Sequence, residues 1–231
     1  MTTENLPISY RTVYSPGAAQ IVEKKSRFIA HIAPVSSQEQ AGAYIEDIKK
    51  KYWDARHNCH AYCVGVKNPV SRCSDDGEPS QTAGKPMLDV LQGAGLTNTC
   101  AVVTRYFGGI LLGTGGLVRA YSSAVKAGLD ACLIIEKRLC SRLTVDIDYT
   151  LLGKVQYMIS GQDIMTVNIE YADRAKLDLL VPSQMRQGFD RKLADATDGK
   201  ARVSDLGLCY GADGGSRILV FGLDGEPVNN L

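Results

Sequence analysis

Five of the nine residues from 108 to 116 are glycine: Gly108, Gly109, Gly113, Gly115 and Gly116. They separate an apolar run, "NTCAVVT" (98–104), from an amphipathic stretch that starts at Leu117. The run has the composition of a buried strand. In the stretch that follows, Leu117, Tyr121, Ala124, Val125 and Gly128 fall on one helical face, while Arg119 and Lys126 point elsewhere. A strand that passes through glycines directly into a helix restricts the chain to a mixed α/β architecture. It leaves two explanations for the glycines: a turn that needs positive φ, or a ligand that must approach the backbone closely.

The flanking sequence reads in the same alternating manner. "AAQIVEKKSRFIAHIAPV" (18–35) is extended and hairpin-like. "SSQEQAGAYIEDIKKKYWDARH" (36–57) predicts a helix, with Ser37 and Gln40 as a capping box and Ala41, Tyr44, Ile45, Ile48 and Tyr52 on one face. A strand, "HAYCVGV" (60–66), precedes an aperiodic stretch (67–86) whose turn residues predict a long loop, and "MLDVLQGAG" (87–95) predicts a short helix. From about residue 139 the order becomes strand "LTVDIDY", helix "TLLGKVQYMIS", strands "TVNIEY" and "KLDLLV" around a turn at Ala172–Asp173, a helix capped by Ser183, and "KARVSDLG". That βαββαβ order is the ferredoxin-like split unit. The expected organisation is therefore α+β in two domains, 1–138 and 139–206, followed by an extension, 207–231, with one short strand, "RILVF".

A chain of 231 residues, 45% hydrophobic and 22% charged, can bury its own core. No run of about 18 apolar residues is present, and the first residues lack the basic-then-apolar order of a signal peptide; the expected location is the cytoplasm, with no membrane partner. Seven scattered cysteines form an odd set, which predicts reduced thiols rather than a disulfide framework. Residues 1–138 carry 16 Lys/Arg against 12 Asp/Glu, whereas residues 139–231 carry 10 against 13. The first half is thus the one suited to an anionic partner.

Three stretches carry candidate chemistry. The glycine loop has a strand before it and a helix N-terminus after it, where N–H groups favour an anion. Gly108, Gly109, Gly113, Thr114, Gly115 and Gly116 would supply backbone donors, with Arg105 and Arg119 addressing the same anion. The spacing matches neither the P-loop nor the dinucleotide fingerprint. In "SDDGEPSQTAGKP" (74–86), Asp75, Asp76 and Glu78 form an acidic loop that could hold Mg²⁺ or act as acid and base, and Lys85 adds a cation; the same residues are ordinary turn chemistry. In "HNCHAYC" (57–63), Cys59 and Cys63 share a strand face that His60 does not, so four zinc ligands do not converge. No metal centre and no cofactor is expected.

Taken together, "KSRFIA" (25–30), "DARHNCHAY" (54–62), "SDDGEPSQTAGKPMLDVL" (74–91) and "VVTRYFGGILLGTGGLVRAY" (102–121) resemble the IMPACT/YigZ family, and residues 139–206 resemble the small C-terminal domain of its bacterial members. The resemblance implies an N-terminal domain of the ribosomal protein S5 domain 2-like type and a C-terminal domain similar to domain V of elongation factor G. Such folds recur in translation proteins, so the implied function is binding of RNA or the ribosome, in translation or its regulation. Two alternatives stand beside it. One is a metal-dependent phosphoryl-transfer or hydrolytic enzyme using the acidic and glycine loops. The other is a protein-docking module with Tyr106 and Phe107 as anchors.

Overall fold

The computed structural model describes residues 6–228. The first five residues of the expected N-terminal domain and the last three of the expected extension lie outside the described residues. The chain packs as two compact units, residues 10–135 and, among the described residues, a second formed by residues 6–9 with 136–228. The α+β, two-domain fold class holds: two sheets and five α-helices are present among the described residues.

The N-terminal unit runs β1 (Ser9–Ser15), β2 (Gly17–Glu23), β3 (Ser26–Pro34), α1 (Gln38–Lys51), β4 (His57–Val64), β5 (Val70–Ser74), α2 (Gly84–Gly93), β6 (Thr99–Tyr106) and α3 (Thr114–Asp130). Its sheet has the order β2-β3-β6-β4-β5, antiparallel throughout. Alternation sends Phe28, Ala30, Ile32, Cys59, Ala61, Ala101 and Val103 to one face, where they pack under α2 and α3. Cys100 and Val102 go to the other face, under Ala41, Ile45 and Ile48 of α1. The sheet is therefore covered on both sides, which is why β6 reads as an uninterrupted apolar run.

Ser37 caps α1 by accepting from the Gln40 N–H at 3.2 Å. The expected reciprocal bond shifts by one residue, because the Gln40 amide oxygen accepts from the Ser36 N–H at 2.7 Å. The stretch read as one long loop contains β5, paired with β4 from Val70 opposite Val64 to Ser74 opposite His60. As an edge strand with half-buried or exposed residues, β5 has no apolar period to betray it.

The second unit contains β7 (Leu133–Ile147), α4 (Tyr149–Ile159), β8 (Met165–Tyr171), β9 (Ala175–Pro182), α5 (Arg186–Thr197), β10 (Arg202–Asp213) and β11 (Ile218–Phe221). The order β11-β10-β7-β9-β8 holds the split βαβ arrangement in its last four strands. Leu143, Val145, Ile147, Leu177 and Leu179 face Val155 of α4 and Phe189 and Leu193 of α5. Ser183 does not cap α5: it opens a short 3₁₀ turn, Ser183–Met185, and the α-helix starts after it. Residues 207–213, placed by sequence in the extension, belong to β10, and β11 folds back on it.

Candidate functional site

Strand registers gather the loops of the N-terminal unit at one end of its sheet. Arg27 at the start of β3 lies opposite Tyr106 at the end of β6, and Arg105 lies opposite His57 at the start of β4. The β2–β3 turn, the α1–β4 connection, the acidic loop after β5 and the glycine loop after β6 therefore share this end.

The acidic loop turns on itself and then into the protein. The Glu78 N–H donates to the Asp75 carbonyl at 2.9 Å, and Asp76 and Gly77 between them have φ of 42° and 85°, the geometry of a type I′ turn. Each carboxylate is engaged separately. Asp75 Oδ1 accepts from the N–H groups of Ala83 and Gly84 at 2.9 and 2.8 Å, and its Oδ2 from Gln81 at 2.8 Å; it caps the start of α2. Burial opposes ionisation of Asp75, but the three backbone donors outweigh it and hold the carboxyl below its ordinary range. Asp76 Oδ2 accepts from the Asn58 N–H at 2.7 Å, and Lys49 Nζ lies 3.8 Å from its Oδ1.

Glu78 meets the strand that leads into the glycine loop. Arg105 Nη1 donates to both Glu78 oxygens at 2.7 and 2.9 Å, and the Tyr121 hydroxyl of α3 donates to Oε1 at 2.7 Å. The pair is buried, with 7% and 3% of the two side chains exposed. The Arg105 guanidinium lies between Phe28 and Phe107, 5.4 and 5.6 Å from the ring centroids, and its Nε is buried without a hydrogen-bond partner. Cys59 Sγ lies 2.9 Å from the Asp75 carbonyl and 3.3 Å from the Tyr121 hydroxyl. Burial pushes this thiol far up, so it stays protonated and is no nucleophile at neutral pH.

Four of the five glycines have a local reason. A Cβ on Gly108 would stand 2.0 Å from the Lys25 carbonyl carbon; Gly109 and Gly113 have φ of 84° and 72°; a Cβ on Gly116 would stand 2.9 Å from Leu112 Cβ. Gly115, in the first turn of α3, has neither constraint, and its Cβ position is 4.0 Å from Arg119 Nη1. Thr114 and Arg119 are exposed. Gly113 caps α3 without a side-chain hydrogen bond.

The structure thus brings Asp75, Asp76, Glu78 and Arg105 into one connected arrangement, but as internal partners of one another and of the backbone. Arg105, read from the sequence as an anion contact, is committed to Glu78. Lys85 lies on α2 and pairs with Asp89 one turn on. No set of three or more His, Cys, Asp or Glu is placed to hold a metal ion among the described residues. No helix there is long and apolar enough to cross a membrane.

Sequence reasoning missed the β2–β3 turn and the α1–β4 connection. Lys24 and Lys25 have φ of 44° and 66° in a two-residue turn closed by the Glu23–Ser26 pair, a conformation in which Asn-Gly is expected. Trp53 is 83% exposed. The one signal in the sequence is the lone tryptophan within a polar stretch.

Comparison with known proteins gives consistent results. Residues 24–129 match the Impact N-terminal domain, and residues 145–200 match a domain of unknown function, DUF1949. The chain is 41% identical over 202 residues to the IMPACT family member YvyE of Bacillus subtilis, covering 87% of this chain and 93% of that one. It is 38% identical over 182 residues to the IMPACT family member YigZ of Escherichia coli, covering 78% and 89%. A solved crystal structure of a hypothetical protein superposes with a TM-score of 0.56 at 36% identity, covering 86% of this chain and 97% of that one.

Proposed function

We propose, for a chain that belongs to the IMPACT family, that the loop-bearing end of the N-terminal unit holds RNA, free or within the ribosome, as a cytoplasmic, non-catalytic step in translation or its regulation. One observation carries this reading. The acidic loop keeps its three carboxylates for the chain itself, whereas Lys24, Lys25, Arg56 and Arg119 around the same end are exposed. The local balance is therefore cationic, which suits a phosphate backbone. Gly115 supports it further: a first-turn glycine with no steric or conformational need leaves the start of α3 open to close approach. The metal-dependent alternative loses support because its three carboxylates are occupied one by one.

The test is co-sedimentation of the intact protein with ribosomes, and binding to ribosomal RNA, across two salt concentrations. Association that weakens steeply with salt, and weakens further in Arg119→Ala, is expected. Association absent at low salt for both probes would overturn the reading. Arg105→Ala is a poor probe, since it leaves Glu78 buried and unpaired.

A second reading rests on a different feature of the glycine loop, whose tip exposes Phe107, Ile110 and Leu111, the last at 82%. Apolar side chains in such a cluster suit a protein partner. A complex that survives nuclease and high salt, and is lost in Leu111→Asp, favours that reading.

A further inference from the structure

The β2–β3 turn and the α1–β4 connection form a strip that the glycine loop braces. Gly108 seats its backbone against Lys25, where any Cβ would collide with the Lys25 carbonyl, and its N–H donates to Ser26 Oγ at 3.1 Å. That contact packs against a two-residue hairpin turn whose lysines both sit at positive φ, a conformation that L side chains disfavour. Both exposed lysines thus project from a turn whose backbone is packed against the glycine loop. Beside them the Arg27 guanidinium lies 4.7 Å from the centroid of the Tyr106 ring. The Tyr106 hydroxyl donates to Asp54 Oδ1 at 2.7 Å, which engages that acid, and the neighbouring residue is Trp53, the chain's single tryptophan.

We infer that this strip binds unpaired RNA, with Lys24 and Lys25 meeting successive phosphates and a base stacking on the Trp53 indole. The inference rests on the reading given under Proposed function and narrows its ligand. A site that reads only duplex phosphates has no use for an aromatic face turned to solvent, because a duplex keeps its base faces stacked inside. Flat exposed rings interleaved with cations are the combination that single strands need, and stacking on them tolerates any base. Charge complementarity points the same way: Lys24, Lys25 and Arg27 are all exposed along the strip.

The single tryptophan makes the test direct. Tryptophan emission of the intact protein is titrated with an oligouridylate of about a dozen nucleotides and with an RNA duplex of the same length, and binding is followed in parallel by anisotropy of labelled RNA. Saturable quenching by the single strand and little by the duplex is expected. Trp53→Ala should weaken single-strand binding about tenfold by anisotropy, and Lys24→Ala/Lys25→Ala should weaken it and flatten its salt dependence, with thermal melts confirming that both variants fold. Equal quenching by duplex and single strand would overturn the inference. So would RNA binding without quenching and unchanged in Trp53→Ala, although the broader reading would then stand. Absence of binding to either RNA and to ribosomes would remove both.

Discussion

The loop-bearing end of the N-terminal unit and the face of the second unit's sheet turned away from α4 and α5 are both rich in charge, and they handle it in opposite ways. Across the second sheet Glu170 lies opposite Lys176, Lys176 opposite Asp146, and Asp146 opposite Arg202, so one row alternates in sign from strand to strand. Arg142 makes two hydrogen bonds to Asp178, and Arg174 pairs with Asp146. Each cation on that face has an acid beside it, and these positions hold no aromatic side chain. At the loop-bearing end the three carboxylates of the acidic loop are drawn inward, onto Arg105, the start of α2 and the Asn58 N–H, and Lys24, Lys25 and Arg119 are left outward. A basic surface can thus be made by burying acids as well as by adding lysines.

The largest effect that can break this comparison comes from the buried pair. Glu78→Ala leaves Arg105 buried without its counter-charge and is expected to destabilise the N-terminal unit by about 3–5 kcal/mol. The matching change on the second sheet, Glu170→Ala, removes an exposed acid opposite Lys176 and should change stability by less than about 1 kcal/mol. Denaturant melts of the two variants decide it; equal losses would erase the distinction.

Next comes a pair of glycines, one in the loop after β6 and one in the first turn of α3. Gly108→Ala forces a methyl group into the Lys25 backbone and is expected to lower stability by several kcal/mol, beyond the roughly 1–3 kcal/mol typical of overpacking, because backbone rather than a side chain must move. Gly115→Ala meets open space and should stabilise α3 by up to about 1 kcal/mol. If RNA affinity nevertheless falls in Gly115→Ala, the glycine serves the ligand; unchanged affinity would leave it without a function in binding.

The smallest effect is a pH dependence. Asp75 has its carboxyl held below the ordinary range in the folded chain, so its contribution to stability is present above about pH 4 and is lost as pH falls through the folded value. Asp75→Asn should lower stability at neutral pH and reduce the acid-side loss. A variant whose acid limb matches that of the parent would show that the α2 cap does not titrate.

Much of this was legible in the sequence. The apolar run before the glycines, the amphipathic face of α3 and the βαββαβ order all follow from local periodicity, and Asp76–Gly77 reads as a turn. The rest depends on distance along the chain. Arg105 stands 27 residues from Glu78, so no spacing rule distinguishes an arginine facing a ligand from one facing a buried glutamate. Asp75 caps a helix that begins nine residues later, beyond the range of a capping signature. β5 is hidden because an edge strand needs no apolar face. Lys24–Lys25 is hidden because its two-residue turn takes positive φ without the Asn-Gly that marks such turns, and the backbone packed against it, at Gly108, lies 83 residues beyond Lys25.

The most direct measurement is the salt dependence of RNA binding for three proteins: the parent chain, Lys24→Ala/Lys25→Ala/Arg119→Ala, and Lys176→Ala/Arg202→Ala on the second sheet. The expected result is that the slope of log affinity against log salt falls by about 2 in the triple variant, at roughly 0.7 per lost phosphate contact on a single strand, and stays unchanged in the second-sheet variant. An unchanged slope in the triple variant, or an equal fall in both, would contradict the assignment of the loop-bearing end as the RNA-binding surface.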